Sequence, residues 1–262
     1  MDYIDVRQAS MNWGISERRI RYLCAAGRIE GSYQPGGYSW MIPASAQKPS
    51  DGRNLRKMKN LGLRPGIHDF SAVSKASGPP SEARIADAII SALAFGNKSL
   101  DKADVLRAMA LEQSSLSLRD SLLVLNLKSA LSLAVSRGDE AETRRINAEI
   151  MHHLGPSDYA SQQARKEAES LYYRAIHEYS KLNPIVRSAF IFGELLRIKP
   201  FDKCNGETAY ACLCCSLQSS GYGLIALKDV DEMLSALVVT RARGSYQAVI
   251  DLIMRALEDE AQ

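Results

Sequence analysis

From Ser81 onward, apolar residues return every three or four positions, and no convincing alternating run interrupts them. Ile85, Ile89 and Leu93 share one stripe; Leu122, Leu123, Leu127, Ala130, Leu131 and Ala134 share another. A repeat near 3.6 places such residues on one helix face, whereas a strand facing one core would need alternation. Nine helices are expected, over 82–94, 101–112, 117–136, 139–153, 161–181, 184–198, 206–219, 227–240 and 245–259. Helices without a sheet can bury their stripes only on one another, so an all-α domain over 81–262 is expected. No fixed-period repeat recurs along it.

The first fifty residues have a different pattern. Val6–Asn12 can form a short helix that Gly14 breaks, and Ser16 is placed to cap a second helix running to about Ala26, with Gly27 just beyond. Ile29–Gln34, Pro35-Gly36-Gly37 and Ser39–Ile42 follow as strand, turn and strand, a hairpin behind two helices. Ile15, Ile20 and Leu23 supply the inward face, and Trp40 is expected to anchor a core this small. Residues 51–80 are broken by Gly52, Gly62, Pro65-Gly66, Gly78 and Pro79-Pro80 and carry Arg53, Arg56, Lys57, Lys59 and Arg64. The expected organisation is therefore a unit over 1–50, a basic linker over 51–80 and the helical domain over 81–262.

Charge divides along the same line. Residues 1–80 hold 12 Lys/Arg against 6 Asp/Glu, while the remainder holds 21 against 24. A basic front points to an anionic polymer. On the second helix Ser16, Arg18, Arg19, Arg21 and Tyr22 are candidates to face double-stranded DNA, with Arg28 and the hairpin's Tyr38 beside them. A guanidinium on a short helix can bridge guanine O6 and N7 in the major groove or clamp a phosphate. Ala9, Gly14, Ile20 and Trp40-Met41-Ile42-Pro43 resemble the winged helix-turn-helix of the MerR-like and excisionase-like families. That resemblance implies a DNA reader, and one small reader binds weakly, so a homodimer on paired half-sites is expected. No stretch approaches eighteen apolar residues, so no membrane association is expected. Five irregularly spaced cysteines, among 46% hydrophobic and 24% charged residues, fit a globular protein of a reducing cytoplasm.

The most informative stretch is Lys199-Pro200-Phe201-Asp202-Lys203-Cys204-Asn205-Gly206-Glu207-Thr208-Ala209-Tyr210, between two expected helices. It resembles the signature loop of the Fic family, His-Pro-Phe-x-Asp/Glu-Gly-Asn-Gly-Arg, whose members transfer AMP from ATP to a protein hydroxyl. Pro200, Phe201, Asn205, Gly206, Thr208 and Ala209 match it. Lys199 stands at the family's catalytic His, and an ordinary ammonium is a poor general base. Lys203 stands at the magnesium-holding acid and repels a hard cation. Cys204 replaces the anion-hole Gly, Glu207 the phosphate-binding Arg, and Tyr210 the final Arg. A carboxylate in the first helical turn interacts favourably with the dipole while occupying an anion's place. Asp202 remains as one displaced carboxylate. Leu125–Ala130 is similar to the family's Asn-x-x-x-Ala helix. Ser91, Phe95 and Gly96 are similar to its inhibitory Ser/Thr-x-x-x-Glu-Gly/Asn motif, with Phe95 where the Glu would be. Only about 155–160 separates two helical patterns where active relatives carry a hairpin flap.

The resemblance thus implies a Fic-like domain that has lost transfer chemistry, with no catalytic residue, metal or cofactor. Cys212, Cys214 and Cys215 are expected as small buried residues. His152, His153, His68 and His177 are expected at the surface. The expected function is a DNA-binding transcriptional regulator whose degenerate domain dimerises, binds a partner protein or senses a ligand. The alternatives are an atypical transferase recruiting Lys199 and Asp202, and a regulatory partner of an active Fic protein.

Overall fold

Two short polar side chains open the first two helices. Asp5 accepts a hydrogen bond from the Gln8 amide (2.7 Å) at the start of α1 (Val6–Trp13), and Ser16 accepts one from the Arg19 amide (3.4 Å) at the start of α2 (Glu17–Ala25). The Gln8 amide is one that a helix N-terminus leaves without a partner, while the Arg19 amide is shared between the Ser16 hydroxyl and the Ser16 carbonyl (2.9 Å). Gly14 ends α1 with φ 58°, a left-handed conformation that costs glycine little.

The computed structural model describes residues 2–37, 39–49, 52–64, 69–71, 73–134 and 138–259, without the side chains of 52–55. Tyr38 and His68, both singled out from the sequence, lie outside the described residues. The chain divides into two units, Met1–Leu55 and Arg56–Gln262.

In the first unit Val6, Ala9, Ile20, Leu23, Cys24, Ile29 and Ile42 form the core. β1 (Tyr3–Asp5) pairs antiparallel with β2 (Met41–Pro43), Ile4 opposite Ile42. The expected strand over Ile29–Gln34 does not form. Gly27 and Gly31 both take positive φ, and the Ile29 carbonyl accepts from both the amide and the hydroxyl of Ser32, so the backbone folds on itself there. Only Tyr33 reaches Met41, by two backbone hydrogen bonds of 2.8 and 3.1 Å, and Pro35–Gly37 forms a single 3₁₀ turn. Trp40 is half-buried against the core; the fully enclosed Ile20 and Ile42 anchor it instead.

The protein is mainly helical, with this small sheet at its N-terminal end. α3 (Gly52–Asn60) crosses the division between units, and Leu61, Leu63 and Val73, from the stretch expected as linker, are buried in the second unit's core. There follow α4 (Glu82–Phe95), α5 (Lys102–Met109), α6 (Leu118–Leu131), α7 (Glu140–Ile150), α8 (Gln162–Tyr173), α9 (Pro184–Ile198), α10 (Asn205–Ser219), α11 (Val230–Arg243) and α12 (Gln247–Glu258). All nine expected helices are present. Several stop short of the expected ends: α5 meets Leu111 at φ 60°, and α8 passes into one π-helical turn, Arg174–Glu178.

α10 is the central helix. It is buried around almost its whole girth from Gly206 to Cys215, and α9, α4, α7 and α6 pack on it. A helix apolar on every side belongs in a core, and small Ala209, Ala211 and the cysteines let neighbours approach closely. Cys212, Cys214 and Cys215 are buried and free. No helix among the described residues is long and apolar enough to cross a membrane.

Candidate functional site

The loop singled out in the sequence joins the last turn of α9 to the first turn of α10. Lys199 (φ 49°) and Cys204 (φ 54°) both adopt left-handed conformations, so the chain reverses between the two packed helices. Asn205 holds the reversal closed. Its side-chain oxygen accepts from the Phe201 amide (2.8 Å), and its amide nitrogen donates to the Phe201 carbonyl (2.7 Å). Asn147 of α7 grips the same loop from behind, donating to the Lys203 carbonyl (3.1 Å) and to Thr208 Oγ1 (2.9 Å). Asn147 is not among the residues that the family motif points to. Its signal is a polar residue on the face of α7 that carries Thr143, Ile146 and Ile150, all buried.

Lys199, Asp202 and Lys203 turn to solvent or to the 156–158 segment. Lys199 is exposed, and Lys203 Nζ donates to the Pro156 carbonyl (3.0 Å). Asp202 accepts from Ser157 Oγ (2.8 Å) and the Asp158 amide (3.2 Å); chiefly the serine bond holds its carboxyl below the usual range. The segment expected to be too short for a flap pairs with the loop itself. Tyr159 and Phe201 form an antiparallel bridge with stacked rings 5.3 Å apart. Ala160 N donates to the Pro200 carbonyl (2.8 Å), and Asp202 N donates to the Asp158 carbonyl (3.0 Å).

The end of α4 closes over the start of α10. A Cβ at Gly206 would overlap the Phe95 carbonyl, and one at Gly96 would overlap the Glu207 carboxylate. Glu207 is only 5% exposed, and burial pushes its carboxyl up. The dipole benefit expected from the sequence is therefore outweighed by lost hydration. Cys204 is pushed up to about 11, first by burial and then by Glu207. The ring of Phe95 stacks on Tyr210 (5.5 Å, 25°) and meets Phe192 edge-on (5.3 Å). Tyr210 in turn donates to the Ile225 carbonyl (2.9 Å). Ser91 accepts from the Leu227 amide (3.0 Å) and donates to the Asp87 carbonyl (2.9 Å). Phe95 and Gly96 are thus brought to the start of α10 as an aromatic and backbone clasp, while Ser91 is tied to Asp87 and Leu227.

These residues do not fit a bound nucleotide phosphate or its metal. A buried carboxylate stands in the first turn of α10, the two loop lysines face solvent or a carbonyl, and Asp202 is committed to Ser157 and Asp158. Among the described residues no three His, Cys, Asp or Glu side chains converge as metal ligands. His152 and His153 are exposed with rings 3.9 Å apart. His177 is exposed beside Tyr173.

In the first unit, Arg18, Arg19, Arg21 and Tyr22 are exposed, opposite the buried Ile20, Leu23 and Cys24. Arg21 pairs with Glu17 (2.6 Å), and Arg19 lies over the Tyr22 ring (5.3 Å). Ser16 is exposed and serves as the cap; Arg28 is half-buried.

No family signature matches the chain, and no curated protein matches it. Solved structures do. A Fic family protein from Desulfovibrio desulfuricans superposes with TM-score 0.56 at 14% identity, over 87% of this chain and 75% of its own. Fic-1 of C. elegans gives 0.57 at 16% identity, over 78% and 68%. A Fic-domain-containing signalling protein from Bacteroides thetaiotaomicron gives 0.53 at 15%, over 81% and 90%. At such identities the likeness is one of architecture: this chain has the fold of the Fic proteins.

Proposed function

We propose that the protein is a DNA-binding regulator in which a Fic-like helical domain serves for assembly or recognition and not for AMP transfer. The observation that carries the reading is the outer face of α2, where Arg18, Arg19, Arg21 and Tyr22 stand together in solvent. A helix of this size fits the major groove, and three guanidinium groups supply both phosphate clamps and base-edge donors. The basic balance of residues 1–80 supports the same partner. The closure of α10 by Glu207, Phe95 and Gly96 supports the loss of transfer, because that helix start is where phosphate oxygens would need backbone amides. A cytoplasmic setting follows from a DNA partner.

Gel shifts across a salt series test the first half. Arg18→Ala and Arg19→Ala should each weaken binding and lower the salt slope by about one for each phosphate contact removed. Arg21→Ala should cost less, since Glu17 already neutralises that side chain. Undiminished binding in Arg18→Ala and Arg19→Ala alike sinks the reading. Incubation with labelled ATP and magnesium tests the second half. No label should transfer; label that disappears in Lys199→Ala would establish the transferase alternative.

A further inference from the structure

We propose that the outer face of α11 is the contact between two copies of this chain, packed antiparallel about a twofold axis. α11 turns Met233, Ala236, Leu237 and Thr240 inward. Its opposite side carries Leu234, Ser235, Val238, Val239 and Ala242, with Leu234, Val238 and Val239 39%, 63% and 40% exposed. Three large apolar side chains are thus left in water together on one face of one helix.

The ends of the helix name the occupant. Asp231 and Glu232 open α11, and Arg241 and Arg243 close it. The pattern inverts about a point between Ala236 and Leu237, so the acidic end is as far from that point as the basic end. A second copy laid antiparallel there sets Leu234 level with its Val239 and Ser235 level with its Val238. Each acidic end then meets a basic end, twice over by symmetry. A parallel copy would set like charges together, which disfavours it. Within the chain Glu232 already bonds Arg255 (2.8 Å). Asp231 and Arg241 have no ion-pair partner among the described residues, so the intermolecular pair falls to them. These charges also suit the helix dipole; the apolar stripe between them is what makes the face self-complementary. One helix face is a small interface, so the dimer should dissociate in roughly the micromolar range.

The proposal deepens the reading above by naming the assembly that would bring two DNA readers together. It is tested without DNA, so failure of either is visible separately. Sedimentation equilibrium of the full chain over about 1–100 μM should show a monomer–dimer exchange. Val238→Asp should raise the dissociation constant at least about tenfold, with the thermal melt unchanged because the side chain is exposed. Leu111→Asp, at another exposed apolar site, should leave the exchange untouched. Asp231→Arg and Arg241→Asp should each weaken the dimer, and the double exchange should restore it. A chain monomeric throughout, an unchanged dimer in Val238→Asp, or a double variant no better than either single one would overturn the proposal.

Discussion

Glu207 carries a charge where the fold offers it little water. Burial raises its folded-state pKa above the ordinary carboxylate value of an unfolded chain. The folded state therefore keeps the proton to higher pH, and the stability contributed by the protonated group is present below the unfolded value. That contribution is lost as pH rises through the folded one. Glu207→Gln keeps the shape and removes the charge, so its midpoint in urea at pH 7 should exceed that of the parent. The gap should close as the solution is acidified toward the ordinary carboxylate range. A variant equally or less stable at pH 7 would mean that the carboxylate is held by partners that offset its dehydration. The loop itself was legible in the sequence, because Pro200, Phe201, Asn205 and Gly206 stand together between two expected helices. Its energetics were not. A first-turn carboxylate suggests a dipole benefit until the distant α4 is seen to bury it.

At the scale of elements, the clasp between α4 and α10 is the joint that shapes the site. Phe95 sits between Tyr210 and Phe192, and its removal would leave a void beside the central helix. Phe95→Ala should cost about 3–5 kcal/mol in denaturant unfolding, and Phe95→Leu distinctly less. Equal losses would argue that ring stacking carries the joint, and negligible losses that α4 is held elsewhere. Gly206→Ala should also destabilise, because the new methyl meets the rigid carbonyl of Phe95 and not a side chain that can swing away. The nine helices were legible because apolar residues recur at helical spacing over long segments, α10 being the one that is apolar nearly all round. The Phe95–Tyr210 pair was not, since nothing local in either segment specifies a partner so far along the chain. The small sheet escaped for a related reason. Three residues, Tyr3–Asp5, are too few to display alternation, whereas Ile29–Gln34 displays it and folds back through Gly27 and Gly31.

For the whole molecule, division into two units sets how it should melt. Among the described residues the Met1–Leu55 unit rests on a core of seven buried side chains and is small enough to be marginal, while Arg56–Gln262 encloses a full helical core. Calorimetry should resolve a weaker transition belonging to the first unit. Ser16→Ala, which removes the α2 cap, should lower that transition by about 1 kcal/mol and leave the second where it is. A single transition that shifts as one would show that the units unfold together.

The five cysteines have a practical corollary. Cys24, Cys204, Cys212, Cys214 and Cys215 are all free, and burial raises every one of their thiols. Alkylating reagents attack thiolates, so these thiols should react more slowly in the native fold than a free cysteine in solution does. A cysteine engineered on an open helix surface would therefore take up a spin label or fluorophore far faster than any native one, making distance spectroscopy feasible without first stripping the wild-type sulfurs.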